Sequence, residues 1–100
     1  MPAALMVTYP ADAGATFDRD YYAATHLPLV RETFGRYGLV AATGYFPESE
    51  GTPHLAVAVL SFRDADARAA ALGSTDAATV FGDVSNFTNT LPTPTALAVA

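Results

Sequence analysis

Apolar and polar positions alternate with a period of two in four stretches of the chain. The stretches span residues 3–9, 39–46, 54–63 and 95–100. Such alternation is typical of β-strands, whose successive side chains point to opposite faces of a sheet. The segment 47–53 is polar and rich in turn residues, so the second and third strands are predicted to form a hairpin.

A helix is predicted between the first two strands, from residue 18 to about residue 36. Asp18 is suited to cap it, and Phe17 is placed to pack against Tyr22. Positions spaced by three and four residues are expected to face the sheet. These positions are Tyr22, His26, Leu29, Val30, Thr33 and Tyr37.

Proline at position 28 interrupts this helix. Because proline has no N–H, the carbonyl of Ala24 loses its usual hydrogen-bond partner. A kink is therefore expected near His26.

The segment between the last two strands is predicted to hold two short helices. Asp64 is suited to cap the first, which is rich in alanine and stops at Gly73. Thr75 is expected to cap the second, which runs towards Gly82. Residues 83–94 are expected to be irregular.

The order strand, helix, strand, strand, helix, strand predicts a ferredoxin-like α+β fold. In this βαββαβ arrangement, both helices cover one face of a four-stranded antiparallel sheet. A chain of 100 residues is expected to form one domain, residues 1–100. The other sheet face is ordinarily open to water, yet both alternating sets in all four predicted strands are mostly apolar. We therefore expect two sheets to face each other across a two-fold axis in a homodimer.

The amino-acid composition excludes several kinds of catalytic chemistry and disfavours two classes of partner. Ten acidic residues against five arginines give a net charge of −5, which disfavours nucleic acid and anionic membranes as partners. The chain has no cysteine and no lysine. This excludes a thiolate nucleophile, Schiff-base catalysis and a lysine-anchored pyridoxal cofactor. The sequence begins without a basic, apolar leader and has no run of 18 apolar residues, so we expect a cytoplasmic protein.

Two segments carry a family resemblance: residues 17–29, FDRDYYAATHLPL, and residues 86–89, NFTN. Their pattern of Phe-Asp, Tyr-Tyr and His-x-Pro-Leu resembles the EthD family, named for ethyl tert-butyl ether degradation. The resemblance implies a dimeric α/β barrel, an architecture shared with muconolactone isomerases, cofactor-independent monooxygenases and haem-degrading enzymes. Members are often described as reductases, but the sequence has no G-x-G-x-x-G dinucleotide fingerprint.

His26 is the candidate catalytic residue. The pKa of an unperturbed histidine is about 6.5, which suits acid–base catalysis near neutral pH. His26 is among the helix positions that are expected to face the sheet. The structural alternative is a packed histidine that hydrogen-bonds a backbone carbonyl freed by Pro28. Tyr22 lies one turn earlier, so it is a candidate for substrate binding in the same cavity, or else a core residue.

Tyr45, His54 and Asn86 complete the candidate substrate-binding set. A resemblance to methylmuconolactone methylisomerase places acid–base groups at the first two positions, although that enzyme's cysteine has no counterpart here. The alternative for His54, which opens the third strand, is a solvated rim residue. Asn86 and Asn89 flank Phe87, where their amides would bind a substrate oxygen or cap the loop's own backbone.

Two functions from different classes remain open. The first is a cofactor-free isomerase, lyase or oxidoreductase that acts on a small apolar carbonyl or ring compound between the first helix and the sheet. The second is a non-catalytic ligand-binding or accessory protein of a small-molecule degradation or biosynthesis pathway. A catalytic His26 must reach a ligand cavity, whereas a structural one has both ring nitrogens bound by protein. No metal site is expected, since the histidine and carboxylate spacing matches no metal motif.

Overall fold

A computed structural model describes residues 1–100. The strands are β1 (Ala3–Pro10), β2 (Leu39–Tyr45), β3 (His54–Phe62) and β4 (Thr93–Ala98). The helices are α1 (Arg19–Tyr21), a π-helical turn (Tyr22–His26), α2 (Leu27–Gly35), α3 (Ala65–Leu72), α4 (Ala77–Gly82) and a 3-10 turn (Val84–Asn86). The strands form one antiparallel sheet in the order β2-β3-β1-β4, which confirms the ferredoxin-like fold and the β2–β3 hairpin. No helix has both the length and the apolar character needed to cross a membrane.

The sheet has two different faces. The covered face packs against the helices, and its buried members are Ala3, Leu5, Val7, Tyr9, Ala42, Ala56, Ala58, Leu60 and Phe62. The open face carries the side chains that alternate with these. By strand register, its members are Ala4, Met6, Thr8, Ala41, Thr43, Tyr45, Val57, Val59, Ser61, Thr93, Thr95 and Leu97. None of these open-face side chains is charged.

β4 departs from the prediction that every strand is mostly apolar on both faces. It starts two residues earlier than predicted, so Thr93 and Thr95 lie on the open face, and the strand is exposed except at half-buried Leu97. The apolar part of the open face is therefore concentrated in β1 and β3.

The helix between β1 and β2 begins as predicted. The carboxylate of Asp18 accepts a hydrogen bond from the N–H of Tyr21 at 3.0 Å. The Phe17 and Tyr22 rings lie 5.1 Å apart, which confirms the expected contact. The distortion expected around Pro28 takes the form of a π-helical turn, in which the N–H of Leu27 bonds the carbonyl of Tyr22, five residues back.

The π-helical turn changes which residues face the sheet. It places one extra residue in a turn, and so rotates α2 relative to a regular helix. Leu27 and Phe34 are consequently buried, although they were outside the predicted stripe. The predicted members Leu29 and Tyr37 are only half-buried, whereas the other four are buried as expected.

The alanine-rich segment agrees with prediction at its first helix. Asp64 accepts from the N–H of Ala67 at 2.7 Å, and the helix ends at the Gly73 cap. The prediction that Thr75 caps the second helix is wrong, because α4 starts after Asp76 and no side chain caps it by a hydrogen bond. The carboxylate of Asp76 accepts instead from the hydroxyl of Tyr37 at 2.8 Å, so it joins α4 to the end of the first helix.

Five aromatic rings gather at the end of the core beside the π-helical turn. They are Tyr9, Phe17, Tyr22, Phe46 and Phe87, and we call them the aromatic cluster. Eight pairs among them have ring centroids 5.1–6.0 Å apart, mostly edge to face. Such packing is favourable beyond simple burial. A rigid apolar wall therefore stands next to His26.

Candidate active site

His26 packs against two rings of the aromatic cluster, which also contact each other. It is only 3% exposed and stacks on Tyr22, with centroids 5.5 Å apart and planes at 21°. Phe87 packs on it with centroids 4.6 Å apart. The π-helical turn that ends at His26 therefore points the imidazole into the core rather than to solvent.

Asp83 binds Nδ1 of the His26 ring. It directly follows α4, and its Oδ2 lies 2.9 Å from His26 Nδ1. Its other oxygen, Oδ1, accepts from the Tyr21 hydroxyl at 2.6 Å and from the Asn86 amide at 2.9 Å. We call the resulting His26–Asp83 pair the dyad.

Burial and hydrogen bonding set the charge state of the dyad. Burial lowers the pKa of His26 below its ordinary value, although the Asp83 carboxylate acts in the opposite direction. Burial alone would raise the pKa of Asp83, but hydrogen bonds from Tyr21, Asn86 and His26 outweigh it and leave that pKa below its usual range. Near neutral pH the pair is therefore a carboxylate and a neutral imidazole. A carboxylate at Nδ1 requires the proton there, which leaves the lone pair on Nε2.

His26 lines a small cavity between the first helix and the sheet. The cavity has a volume of about 20 Å³, and twelve of its fourteen lining residues are hydrophobic. Nε2 makes no hydrogen bond to the protein, in contrast to Nδ1. The cavity is large enough for about one water molecule. A larger ligand must therefore widen it.

A surface groove adjoins this cavity. The groove has a volume of about 470 Å³ and shares Phe81, Val84 and Pro92 with the cavity wall. Phe81 is 41% exposed, and the neighbouring Leu91 is almost fully exposed. The segment between α4 and β4 thus separates His26 from a much larger space.

Tyr22 lines the same cavity, but its hydroxyl has an unusual environment. The residue is 1% exposed, and its buried hydroxyl makes no hydrogen bond of standard geometry, although the Tyr9 hydroxyl lies near enough to act on its pKa. Burial raises the pKa of Tyr22 to about 12, so the phenol stays neutral. The ring packs against Gly44, where an added Cβ would lie 2.9 Å from Tyr22 Cε2. Glycine at this position lets the helix approach β2 closely.

The structure does not bring the other candidate residues to the cavity. Tyr45 lies on the open face and is 55% exposed. His54 is exposed at the start of β3 and lines a separate polar groove with Arg19. Asn86 reaches the dyad through Asp83, whereas Asn89 binds the backbone of Gly14 and Thr16. No group of three or more metal-ligating side chains is arranged to hold an ion.

Sequence reasoning identified His26 but missed Asp83 and Tyr21. Asp83 is 57 residues from His26 along the chain, and no spacing rule links them. The available signals were an acid directly after the helix-ending Gly82 and a second tyrosine beside Tyr22. Neither signal singles out these residues without the fold.

A model of the EthD domain matches residues 12–91. The chain belongs to the EthD family. The resemblance seen in residues 17–29 and 86–89 is thereby confirmed at the level of the family.

Solved structures with a similar fold include two EthD proteins and one oxygenase. An EthD-like protein from Ralstonia eutropha JMP134 has a TM-score of 0.81 and 27% identity, over 99% of this chain and 92% of that one. A member of the ethyl tert-butyl ether degradation family from Bacillus halodurans C-125 has a TM-score of 0.76 and 17% identity, with all of both chains covered. SnoaB, a cofactor-independent oxygenase from Streptomyces nogalater, has a TM-score of 0.67 and 11% identity, over 99% of this chain and 95% of that one. No curated protein matches the chain.

Proposed function

We propose that this EthD-family protein binds a small apolar carbonyl or ring compound and transfers a proton on it without a cofactor, with His26 as general base. The observation that carries this proposal is the contrast between the two ring nitrogens of His26. Nδ1 is bound by Asp83 at 2.9 Å, whereas Nε2 has no hydrogen-bond partner in the protein, and His26 lines an apolar cavity. A histidine oriented through one nitrogen and free at the other is the usual arrangement of a general base.

The proposed step is proton abstraction from carbon. Nε2 takes a proton from the carbon between a carbonyl group and a carbon–carbon double bond. The electron pair of the broken C–H bond forms a new carbon–carbon double bond, and the π pair of the carbonyl moves onto its oxygen to give a dienolate. Asp83 stabilises the imidazolium that forms, and return of the proton from Nε2 to the far carbon of the dienolate restores the carbonyl and completes an isomerisation. The apolar walls keep water from competing for the proton. SnoaB is a cofactor-independent oxygenase on the same fold, so the fold is compatible with chemistry that needs no cofactor.

The substrate would reach His26 from the groove beside Phe81. The cavity alone is far smaller than the roughly 300–1,000 Å³ of typical ligand sites, whereas the groove outside it lies in that range. Phe81, Val84 and Pro92 form the shared wall, and two of them lie in or beside short helical segments. Movement of this wall would join the two spaces.

The cavity volume also supports a second candidate, a non-catalytic ligand-binding or accessory protein. A histidine packed against Tyr22 and Phe87 beside a space of about 20 Å³ is compatible with a purely structural role. The free Nε2 nevertheless favours the enzyme, because a buried structural histidine ordinarily has its ring nitrogens bonded.

We further propose that the protein is a homodimer, paired through the open face. This face presents methionine, valine and threonine side chains without any charge, and an exposed apolar patch of this kind marks an interface. A second copy of the same face has the same chemistry, and two-fold pairing buries both at once.

The decisive experiment compares two carboxamide variants. Turnover would be screened on lactones, quinones and aromatic ketones with wild type, His26→Gln and Asp83→Asn. Loss of the general base should lower kcat by about 10²–10⁴-fold, and Asp83→Asn should also lower it because the Nδ1 partner loses its charge. Asp76→Asn is the matched control, since that carboxylate accepts from Tyr37 at 2.8 Å away from the cavity.

Two results would contradict the proposed enzymatic activity. One is wild-type turnover in His26→Gln. The other is the absence of turnover in wild type together with saturable ligand binding that both site variants retain. That second outcome would favour the ligand-binding protein.

A further inference from the structure

We propose that Tyr21 and Asn86 are positioning residues of the dyad: they bind one oxygen of Asp83 and thereby hold the other against His26. This inference rests on the proposed function, because it assigns the residues that prepare the same base. Both donors reach Oδ1, at 2.6 Å and 2.9 Å, whereas His26 alone reaches Oδ2 at 2.9 Å. The carboxylate therefore has a divided role, with one oxygen for support and one for the imidazole.

The two donors come from different elements, so the arrangement is rigid. Tyr21 ends α1, whose first turn is fixed by the Asp18 cap, and its ring stacks on Phe87 at 6.2 Å and 24°. Asn86 lies three residues after Asp83, in the 3-10 turn. Because Phe87 also packs on His26, one ring contacts both the supporting tyrosine and the base. Rotation of the carboxylate would break two hydrogen bonds at once.

The Tyr21 and Asn86 donors also reduce the negative charge on Oδ2, the carboxylate oxygen that contacts His26. Hydrogen bonds to a carboxylate draw its negative charge towards the donors, and charge-assisted bonds of this kind are the stronger class. Less charge on Oδ2 stabilises the imidazolium less, which favours a neutral base near neutral pH. The titratable groups against His26 are Asp83 on one side and the neutral Tyr22 phenol stacked on the other, and Arg31 acts on Tyr22.

Nitrogen NMR of the imidazoles tests this without any substrate. The chain has two histidines, so the spectrum of His26→Gln assigns the signals. In Tyr21→Phe the ring and its stacking remain but the donor is lost. We expect the pKa of His26 to rise by about 0.5–1 unit, and to rise further in Tyr21→Phe with Asn86→Ala. Where turnover is measurable, the midpoint of the pH profile of kcat/KM should shift by the same amount while KM stays constant.

Tyr37→Phe is the matched control. It removes a phenol that also donates to an aspartate, Asp76, at a similar distance but away from His26. A merely structural role for Tyr21 predicts that both variants lose stability and leave the His26 titration unchanged. An unchanged pKa of His26 in Tyr21→Phe would overturn the inference. A lowered pKa would support it by the other route, because it would show that the variant weakens the contact between Oδ2 and Nδ1 more than it raises the charge on Oδ2. If His26→Gln keeps its activity while the titration shifts as expected, the proposed reaction fails and the positioning role stands.

Discussion

The two faces of the sheet are formed by the same strands but differ in what covers them. On the covered face, strand residues join the helices in a core of 18 buried side chains within one protomer. On the open face, the alternating residues of β1 and β3 are half-buried, and none is charged. The covered face therefore builds the His26–Asp83 dyad within one chain, whereas the open face leaves its uncharged side chains partly exposed.

The two faces also carry different kinds of side chain. Titratable groups with displaced pKa values, such as His26 and Asp83, lie on the helix side, where burial and hydrogen bonds act on them. The open face offers valine, methionine and threonine, which are suited to contact but not to acid–base chemistry. The proposed reaction and the proposed dimer contact would thus lie on opposite sides of one sheet.

The largest expected effect distinguishes the faces with two neighbouring residues of β3. Ala58 is buried on the covered face, and Val57 lies on the open face opposite Thr8 and Tyr45. Ala58→Asp should unfold the chain, because an unpaired buried carboxylate costs several kcal/mol, comparable to the whole stability of a small domain. Val57→Asp should remain folded and become a monomer of 10.4 kDa. Far-UV circular dichroism and light scattering measure the two outcomes.

The wild type supplies the control for this pair. It should scatter as a dimer at micromolar concentration, with an interface above about 1,200 Å². A wild-type monomer, or a Val57→Asp variant that stays dimeric, would show that the open face is not the interface. A folded Ala58→Asp variant would show that the covered face is less closely packed than its burial indicates.

Much of the fold was predictable because it depends on local signals. The period of two located all four strands, and Asp18 and Asp64 cap their helices as expected. The errors arose where a local signal was weak or altered. Thr75 and Asp76 are both competent caps by residue type, and β4 has too few apolar side chains to mark its first residue.

The candidate site was less predictable for two physical reasons. Pro28 signalled a distortion, but a regular helical period cannot show that the helix would accommodate it with a π-helical turn that buries Leu27 and Phe34. The partner of His26 comes from a segment 57 residues later, and only tertiary packing joins them. Family resemblance pointed to His26, and the fold was needed to find Asp83 and Tyr21.

A smaller effect concerns acid stability, which the covered face should control. The pKa of His26 is lowered in the folded state, so below its ordinary value of about 6.5 the unfolded chain takes up the proton first. The contribution of neutral His26 to the free energy of unfolding is therefore complete above about pH 6.5, and it is lost as the pH falls towards the lowered pKa of the folded state. Asp83, whose pKa is also lowered, adds a loss at still lower pH. Urea unfolding of wild type between pH 7.5 and 5 should show the first loss.

His26→Gln isolates that contribution. It removes the titrating imidazole, so its free energy of unfolding should change less than that of wild type between pH 7.5 and 5. Equal slopes in the two proteins would assign the acid sensitivity to other groups.

The smallest effect concerns the one unsatisfied group on the covered face, the Tyr22 hydroxyl. A buried hydroxyl without a partner costs about 1–3 kcal/mol in lost hydration. Tyr22→Phe removes that cost and keeps the ring stacked on His26, so its Tm should stay the same or rise by up to about 5 °C. Tyr37→Phe provides the opposite case, because its hydroxyl donates to Asp76 at 2.8 Å, and its Tm should fall. If Tyr22→Phe lowers the Tm as much as Tyr37→Phe does, the Tyr9 hydroxyl or a water molecule in the adjoining cavity already satisfies the Tyr22 hydroxyl, and the covered face has no unsatisfied group there.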